Sequence, residues 1–133
     1  MTSPFEYIQP DGIFSNPSYT HVVTTTRART VYVSGQVSMD ATGAMVAEGD
    51  LAAQTEQVFA NLAIALAAAG ATFADVVKLT TYVVDYTPAA RPLIAAVRSR
   101  HFLTSPPAST LVGVSALALP GWLIEIEAIA ALD

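Results

Sequence analysis

The chain has 133 residues, of which 53% are hydrophobic and 13% are charged, and it carries a net charge of −5 and no cysteine. This length predicts one domain spanning 1–133. The absence of cysteine excludes thiol catalysis, cysteine-ligated zinc and disulfide bonds, and it is typical of a cytoplasmic protein. With six basic residues and no basic run, the chain is not expected to bind nucleic acid, and its longest apolar stretch is too short to span a membrane.

The apolar content also bears on assembly. A lone domain of this size does not easily bury so many hydrophobic residues with so few charges left to cover its surface. Part of the apolar surface is therefore expected to lie between the subunits of a homo-oligomer.

The first third of the chain predicts an irregular arm followed by a β-hairpin. Prolines at positions 4, 10 and 17 make residues 1–18 an irregular N-terminal arm. The stretches 19–26 and 29–39 are rich in Val, Thr and Tyr and are separated by a short polar turn. They predict two strands that pair with each other.

A helix is predicted over 50–69, where apolar positions recur at helical spacing. Asp50 is a suitable N-cap, and Gly70 is a suitable residue to end the helix. The polar side chains expected to point outward from this helix are Gln54, Gln57 and Asn61.

The second half predicts a strand, a helix and two further strands. Residues 76–85 are apolar on both faces, which indicates a central strand. A helix is predicted between about 90 and 103, and strands are predicted over 110–119 and 120–132. The order β-β-α-β-α-β-β predicts an α+β domain in which one sheet is covered by two helices.

Two glutamates interrupt the apolar last strand. Alternation places Glu125 and Glu127 on one face of that strand. If this face meets another subunit, Glu125 lies in a partly dry crevice, where its carboxylate can deprotonate a water molecule. The alternative is a solvated sheet edge at which both carboxylates are simply exposed.

The stretch "YVSGQVSMD" ends a predicted strand with small residues. Gly35 lets the backbone approach a ligand closely, and the hydroxyl of Ser34 can hold a polar group. The alternative is an ordinary strand end. His21 and His101 lie on separate predicted elements without carboxylates at ligand spacing, so neither a metal site nor a cofactor is predicted.

Four stretches, in order and at matching spacings, carry a family resemblance. They are "VYVSGQVSMD", "AQTEQVFANLAIALAAAGATFADVVKLTTYVVD", "PPAST" and "EIEAIA". Together they resemble the RidA/YjgF family, also labelled the L-PSP endoribonuclease family. The resemblance implies a chorismate-mutase-like fold and a homotrimer whose sheets form an inner β-barrel. It also implies a small-molecule site in each cleft between subunits.

The resemblance assigns candidate site residues as well. Glu125 corresponds to the glutamate that helps to activate water in RidA-like proteins, Ser34 to the serine of the SGQ motif, and Tyr19 to a tyrosine of the N-terminal arm. The other residues expected to line the substrate site are Gly35, Ser109 and Leu111. No role carries over to Glu127.

The chain departs from the family's deaminases at the arginine that pairs with the substrate carboxylate. The motif reads PAST at 107–110, so Ser109 stands where the guanidinium would be. Arg98 and Arg100 precede the motif on the second helix and offer no obvious substitute. The family's helix asparagine falls near Ala95, where no amide exists. Activity on 2-iminopropanoate is therefore not expected to be high.

Three functions follow from these observations. The leading hypothesis is hydrolysis of the C=N bond of an imine or enamine-derived substrate other than 2-iminopropanoate. The alternative is a non-catalytic trimer that binds a metabolite or a protein partner. RNA cleavage, which the family label suggests, is disfavoured because the chain is acidic and has no basic stripe.

Overall fold

A computed structural model of the protein describes residues 2–133. Two helices and six strands follow one another in this part of the chain, with a short 3-10 turn at Phe73–Asp75. In chain order they are β1 (Phe5–Ile8), β2 (Val22–Thr25), β3 (Arg29–Gln36), α1 (Leu51–Ala68), β4 (Val76–Val84), α2 (Ala90–Arg98), β5 (Ala108–Val114) and β6 (Ile124–Leu132).

The strands form two sheets. The larger sheet has the order β3-β6-β4-β5, with β6 antiparallel to both of its neighbours and β4 parallel to β5. The smaller sheet is the antiparallel pair β1-β2. The chain is therefore a single α+β domain with two helices and a mixed sheet, as the sequence predicts, although the strands form two sheets instead of one.

The helices cover one face of the larger sheet. Alternate residues of β6, beginning with Ile124 and Ile126, are buried against the apolar face of α1. The largest buried side chains of this core are Phe59, Leu62, Leu66, Leu79, Ile124 and Ile126. Within residues 2–133 no helix lies over the other face of the sheet, so we call it the open face.

Helix α1 and strand β4 confirm two predictions from local sequence. The carboxylate of Asp50 accepts a hydrogen bond from the backbone N–H of Ala53 at 3.0 Å, and Gly70 has the positive φ, 82°, that ends a helix. Strand β4 is central, between β6 and β5. Helix α2 begins at Ala90 as predicted but ends at Arg98, and β5 is shorter than predicted and begins two residues earlier.

The predicted outward position of three polar residues on α1 is wrong. Gln54 is fully buried; its amide donates to the carbonyl of Gly121 at 2.9 Å and accepts from the N–H of Leu123 at 2.8 Å. Asn61 donates to the carbonyls of Val37 and Met39 at 3.0 and 2.9 Å, and Gln57 donates to Asn61. These amides satisfy the backbone groups of two loops, a role that helical periodicity does not reveal.

The predicted hairpin and the fully irregular arm are also wrong. Strand β2 pairs with β1, which lies within residues 1–18, and β3 pairs with β6. The residues between β2 and β3 do not form a hairpin turn because Arg27 is drawn inward: its guanidinium donates to Asp75 at 2.5 Å and to the carbonyl of Ala131 at 3.0 Å. Arg27 thus lies against β6 and the 3-10 turn instead of in an exposed turn between two paired strands.

Candidate functional site

A cavity of about 650 Å³ lies between helix α2, the start of β5 and the segment that leads into β2. Three of the residues predicted to bind substrate, Tyr19, Ser109 and Leu111, line it. The remaining lining residues are Ser18, Tyr86, Pro88, Arg91, Pro92, Ile94, Ala95 and Arg98. The structure therefore brings together residues that lie far apart in the sequence.

The strand register explains how β5 contributes to this cavity. Ser109 pairs with Leu79 and Leu111 pairs with Thr81, and both partners on β4 are buried beneath the helices. Because side chains of paired residues lie on the same face of a sheet, Ser109 and Leu111 face the helices as well. Ser109 thus offers a neutral hydroxyl on the side of the sheet where α2 packs.

The segment that carries Tyr19 is hydrogen-bonded to the residues just before β5. Thr20 donates from its side chain to the carbonyl of Pro106 at 2.5 Å and from its backbone to the carbonyl of Pro107 at 3.1 Å. The side chain of Gln9 donates to the carbonyl of Tyr19 at 2.8 Å. These bonds hold Tyr19 beside the cavity although it belongs to a loop.

Helix α2 places two positive charges beside the cavity, although the sequence indicated no obvious replacement for the missing arginine. Arg91 and Arg98 lie two helical turns apart and both line the cavity, with Ala95 between them. Burial lowers the pKa of Arg98 below its usual value, and the positive charge of Arg91 lowers it further. Arg100 does not line the cavity, and its guanidinium is paired with Glu56.

The predicted catalytic residues lie on the open face of the same sheet. Glu125 of β6 is beside Tyr82 of β4 in the antiparallel register. Its carboxylate lies directly over Gly35: a methyl carbon built on Gly35 would be 2.5 Å from Oε2 of Glu125. Only glycine allows this approach without displacing the glutamate.

Ser34 and Gly35 form an irregularity in β3. The register with β6 shifts between Val33 and Gln36, so these two residues bulge out of the strand. Ser34 is exposed, and its backbone carbonyl accepts a hydrogen bond from the side chain of Gln36 at 3.0 Å. Within this bulge, Gly35 is the residue that lies against the carboxylate of Glu125, and Ser34 precedes it in the chain.

Glu127 has a partner that the sequence did not identify. The hydroxyl of Tyr82 donates to Oε1 of Glu127 at 2.5 Å. This hydrogen bond raises the pKa of the Tyr82 hydroxyl above its usual value, and burial and the charges of Glu127 and Glu125 raise it further. Strand β6 is an inner strand of the sheet, so the alternative of two glutamates at a sheet edge is wrong.

Within one chain, the structure does not bring all the predicted residues together. Tyr19, Ser109 and Leu111 lie on the helix side of the sheet, whereas Glu125 and Gly35 lie on the open face. The two groups are separated by the thickness of the sheet. Sequence reasoning missed Arg91, Arg98 and Tyr86 as lining residues; the seven-residue spacing of the two arginines on a short helix was the available signal.

The histidines lie apart from both groups. His101 stacks on Phe59, with ring centroids 5.0 Å apart, and a ring nitrogen of His21 is 2.7 Å from the carbonyl of Phe14. In residues 2–133 no cluster of three or more His, Cys, Asp or Glu side chains could hold a metal ion. Neither helix in this part of the chain has the length and apolar character needed to cross a membrane.

Comparison with known proteins gives consistent matches. The family model described as "Endoribonuclease L-PSP" matches residues 13–132. Protein DfrA of Myxococcus xanthus is 38% identical over 112 residues, which cover 84% of this chain and 83% of DfrA. The 2-iminobutanoate/2-iminopropanoate deaminase of Bos taurus is 36% identical over 102 residues, covering 77% of this chain and 72% of the enzyme.

A solved structure is similar over almost the whole chain. It is YyfB of Yersinia pestis, a protein described as a member of the conserved Rid family with unknown function. The two chains are 44% identical and superpose with a TM-score of 0.92, over 98% of this chain and 100% of YyfB.

Proposed function

The chain belongs to the endoribonuclease L-PSP family, which includes the RidA/YjgF proteins, and we propose that it hydrolyses the C=N bond of a small imine. The reaction takes place in a cleft between two subunits of a homotrimer. Some relatives are named imine deaminases, which supports this reaction class.

The observation that carries the proposal is the difference between the two glutamates. Glu127 accepts a hydrogen bond from Tyr82, whereas the carboxylate of Glu125 has no hydrogen bond or ion pair with any of residues 2–133. It is half-buried, and it is held over Gly35 by the close approach of the two strands. A half-buried carboxylate without a partner is suited to accept a proton from water.

The chemistry follows from these groups. Glu125 accepts a proton from a water molecule whose oxygen attacks the carbon of the C=N bond. The nitrogen is then protonated, the C–N bond breaks, and an imine and water yield a carbonyl compound and ammonia. Gly35 lies against this carboxylate, and in the proposed site the exposed hydroxyl of Ser34, the residue before it, orients the water or the nitrogen.

Three observations support the homotrimer with an inner barrel of sheets. The chain exposes 7508 Å², compared with about 6,700 Å² for a folded monomer of its mass. The open face carries exposed apolar side chains, among them Tyr32 at 78% exposure. The two groups of site residues also lie on opposite sides of one sheet, so a second subunit is needed to complete the site.

The proposed substrate differs from 2-iminopropanoate. Ser109 provides a single neutral hydroxyl, whereas a bidentate arginine–carboxylate contact contributes about 1.5–3 kcal/mol. Ammonia release from 2-iminopropanoate is therefore expected to be at least about tenfold slower than in an arginine-bearing relative. Any cation that replaces the arginine reaches this cavity from α2 instead of β5, so the substrate that it suits differs in geometry from 2-iminopropanoate.

The test is ammonia release from a panel of imines generated in the assay by an amino acid oxidase. Glu125→Gln keeps the shape and removes the base, so kcat is expected to fall at least about 100-fold with an unchanged melting temperature. Glu127→Gln is the matched control on the same face; it is expected to retain turnover and to lower the melting temperature, because the hydrogen bond from Tyr82 weakens.

Two results would contradict the proposal. Full turnover in Glu125→Gln would show that another group activates the water. Tight binding of keto acids or imines without turnover of any of them would identify a binding protein, the alternative that the sequence left open.

A further inference from the structure

The cationic side chains of the protein fall into two classes. Four of the six have partners: Arg27 with Asp75, Arg100 with Glu56, Arg29 with the carbonyl of Asp133, and Lys78 with the hydroxyl of Thr110. The other two, Arg91 and Arg98, form no side-chain hydrogen bond or salt bridge within residues 2–133. Both of these line the cavity beside α2.

Among the described residues 2–133, no acidic side chain lines this cavity, although the protein has eleven acidic residues and a net charge of −5. Its walls are otherwise apolar residues, hydroxyl groups and two tyrosines. The charge of Arg98 is half-buried and close enough to Arg91 for the two charges to repel. A half-buried cation without an anion is unfavourable in a folded protein.

The position of Arg91 adds a second unfavourable contribution. It lies in the first turn of α2, where the helix dipole disfavours a cation, and no acidic residue accompanies it there. No side chain caps this helix end either. Arg91 is exposed, so its cost is small, whereas that of half-buried Arg98 is larger; unpaired charges that reduce stability are a feature of sites that act on a ligand.

We propose that the cavity binds a dianionic ligand, with Arg98 holding the carboxylate next to the reacting carbon and Arg91 holding a second anionic group. Resting on the proposed function, this makes the substrate a 2-imino dicarboxylic acid or a close analogue. The arginines are two turns apart, about 10 Å along the helix axis, which suits two separated anionic groups. The small side chain of Ala95 leaves the space between them open.

The experiment is a calorimetric binding titration of two keto acids that share the same reactive end. The probes are 2-oxoglutarate, a dianion, and 2-oxobutanoate, a monoanion. The wild-type protein is expected to bind 2-oxoglutarate at least about tenfold more tightly. Arg91→Gln is expected to remove this preference, and Arg98→Gln to weaken the binding of both probes at least about tenfold.

Arg100→Gln is the matched control, because Arg100 follows the same helix but lies outside the cavity. It is expected to leave both affinities unchanged. Arg98→Lys keeps the charge but loses the two-pronged donor, so it is expected to bind both probes more weakly than the wild type and more tightly than Arg98→Gln. Melting temperature and light scattering verify the fold of each variant.

The proposal is overturned if the wild-type protein binds neither probe or binds both equally, or if Arg98→Gln binds as the wild type does. Because the titration needs no turnover, these results are independent of the reaction. Turnover that depends on Glu125 alongside any of them would leave the proposed function standing and remove the dianion site.

Discussion

The two faces of the larger sheet carry opposite and unmatched charges. On the helix side, Arg91 and Arg98 line a cavity that contains no acid. On the open face, Glu125 and Glu127 lie side by side on β6, and the partner of Glu127 is a tyrosine hydroxyl instead of a cation. The sheet keeps the two sets apart, so they do not neutralise each other within a chain.

This separation explains how one small domain can keep both sets of charges available. An arginine and a glutamate within reach of each other would form an ion pair, and neither would then be available to a ligand. If the helix side of one subunit faces the open face of the next, the charges meet only across the cleft. The substrate then lies between Arg91 and Arg98, which hold its anionic groups, and the carboxylate of Glu125, which activates water.

Gly35→Ala tests the open face with the largest expected effect of three substitutions. The new methyl group would lie 2.5 Å from Oε2 and 2.9 Å from Cγ of Glu125, so the glutamate side chain must swing away. Turnover is expected to fall about ten- to a hundredfold, with little change in melting temperature because the displaced atoms are the end of a flexible side chain. In a Glu125→Gln background, Gly35→Ala is expected to cause no further loss of activity. An additional loss would show that Gly35 acts on turnover by a route other than the position of Glu125.

Arg91→Gln tests the helix side through stability. Removing a cation from the first turn of α2 and from the vicinity of Arg98 is expected to raise the free energy of unfolding by about 0.5–1 kcal/mol. Thermal melting at equal protein concentration without ligand measures this change. Arg100→Gln, which breaks the pair with Glu56, is expected to give no increase. A less stable Arg91→Gln protein would show that the helix side is not strained by its charges.

Tyr82→Phe has the smallest expected effect and separates the two glutamates. The pKa of Tyr82 is raised by Glu127 in the folded protein, so this interaction stabilises the fold below about pH 10 and is lost as the pH rises through the folded pKa. The variant is expected to melt slightly lower than the wild type at pH 8, with the gap closing toward pH 11. A gap that widens with pH would contradict this direction, and a large loss of turnover at pH 8 would tie Tyr82 to the chemistry.

The elements that depend on local sequence could be predicted. Asp50 and Gly70 mark the two ends of α1, and both could be predicted because helix capping and termination depend on neighbouring residues. The pairing of β1 with β2 could not be predicted in the same way. The segment that follows β2 is anchored by Arg27, whose partner Asp75 is 48 residues away, and nothing near Arg27 in the sequence indicates that contact. Helical periodicity could not predict the burial of the Gln54 amide for the same reason, because its hydrogen-bond partners lie beyond position 120.

The residues of the candidate site also fall into those that local sequence predicts and those that depend on tertiary packing. Alternation along one strand suffices to place Glu125 and Glu127 on one face, and the family motifs lead to Tyr19 and Ser109. The seven-residue spacing places Arg91 and Arg98 on one face of α2, but whether that face lines the cavity depends on how α2 packs over β5, which no local pattern encodes. The sequence therefore did not identify Arg98 as a replacement for the missing arginine, although the fold places Arg98 in the same cavity as Ser109.

The most direct test of a site shared between subunits is complementation. Glu125→Gln chains and Arg91→Gln/Arg98→Gln chains are purified separately, mixed in equal amounts, dissociated and reassembled, and turnover is then measured. If each site combines the open face of one subunit with the helix side of the next, random trimers are expected to recover about one quarter of wild-type turnover. If both halves act within one chain, every site keeps one substitution, and mixtures as inactive as the separate variants would contradict the account.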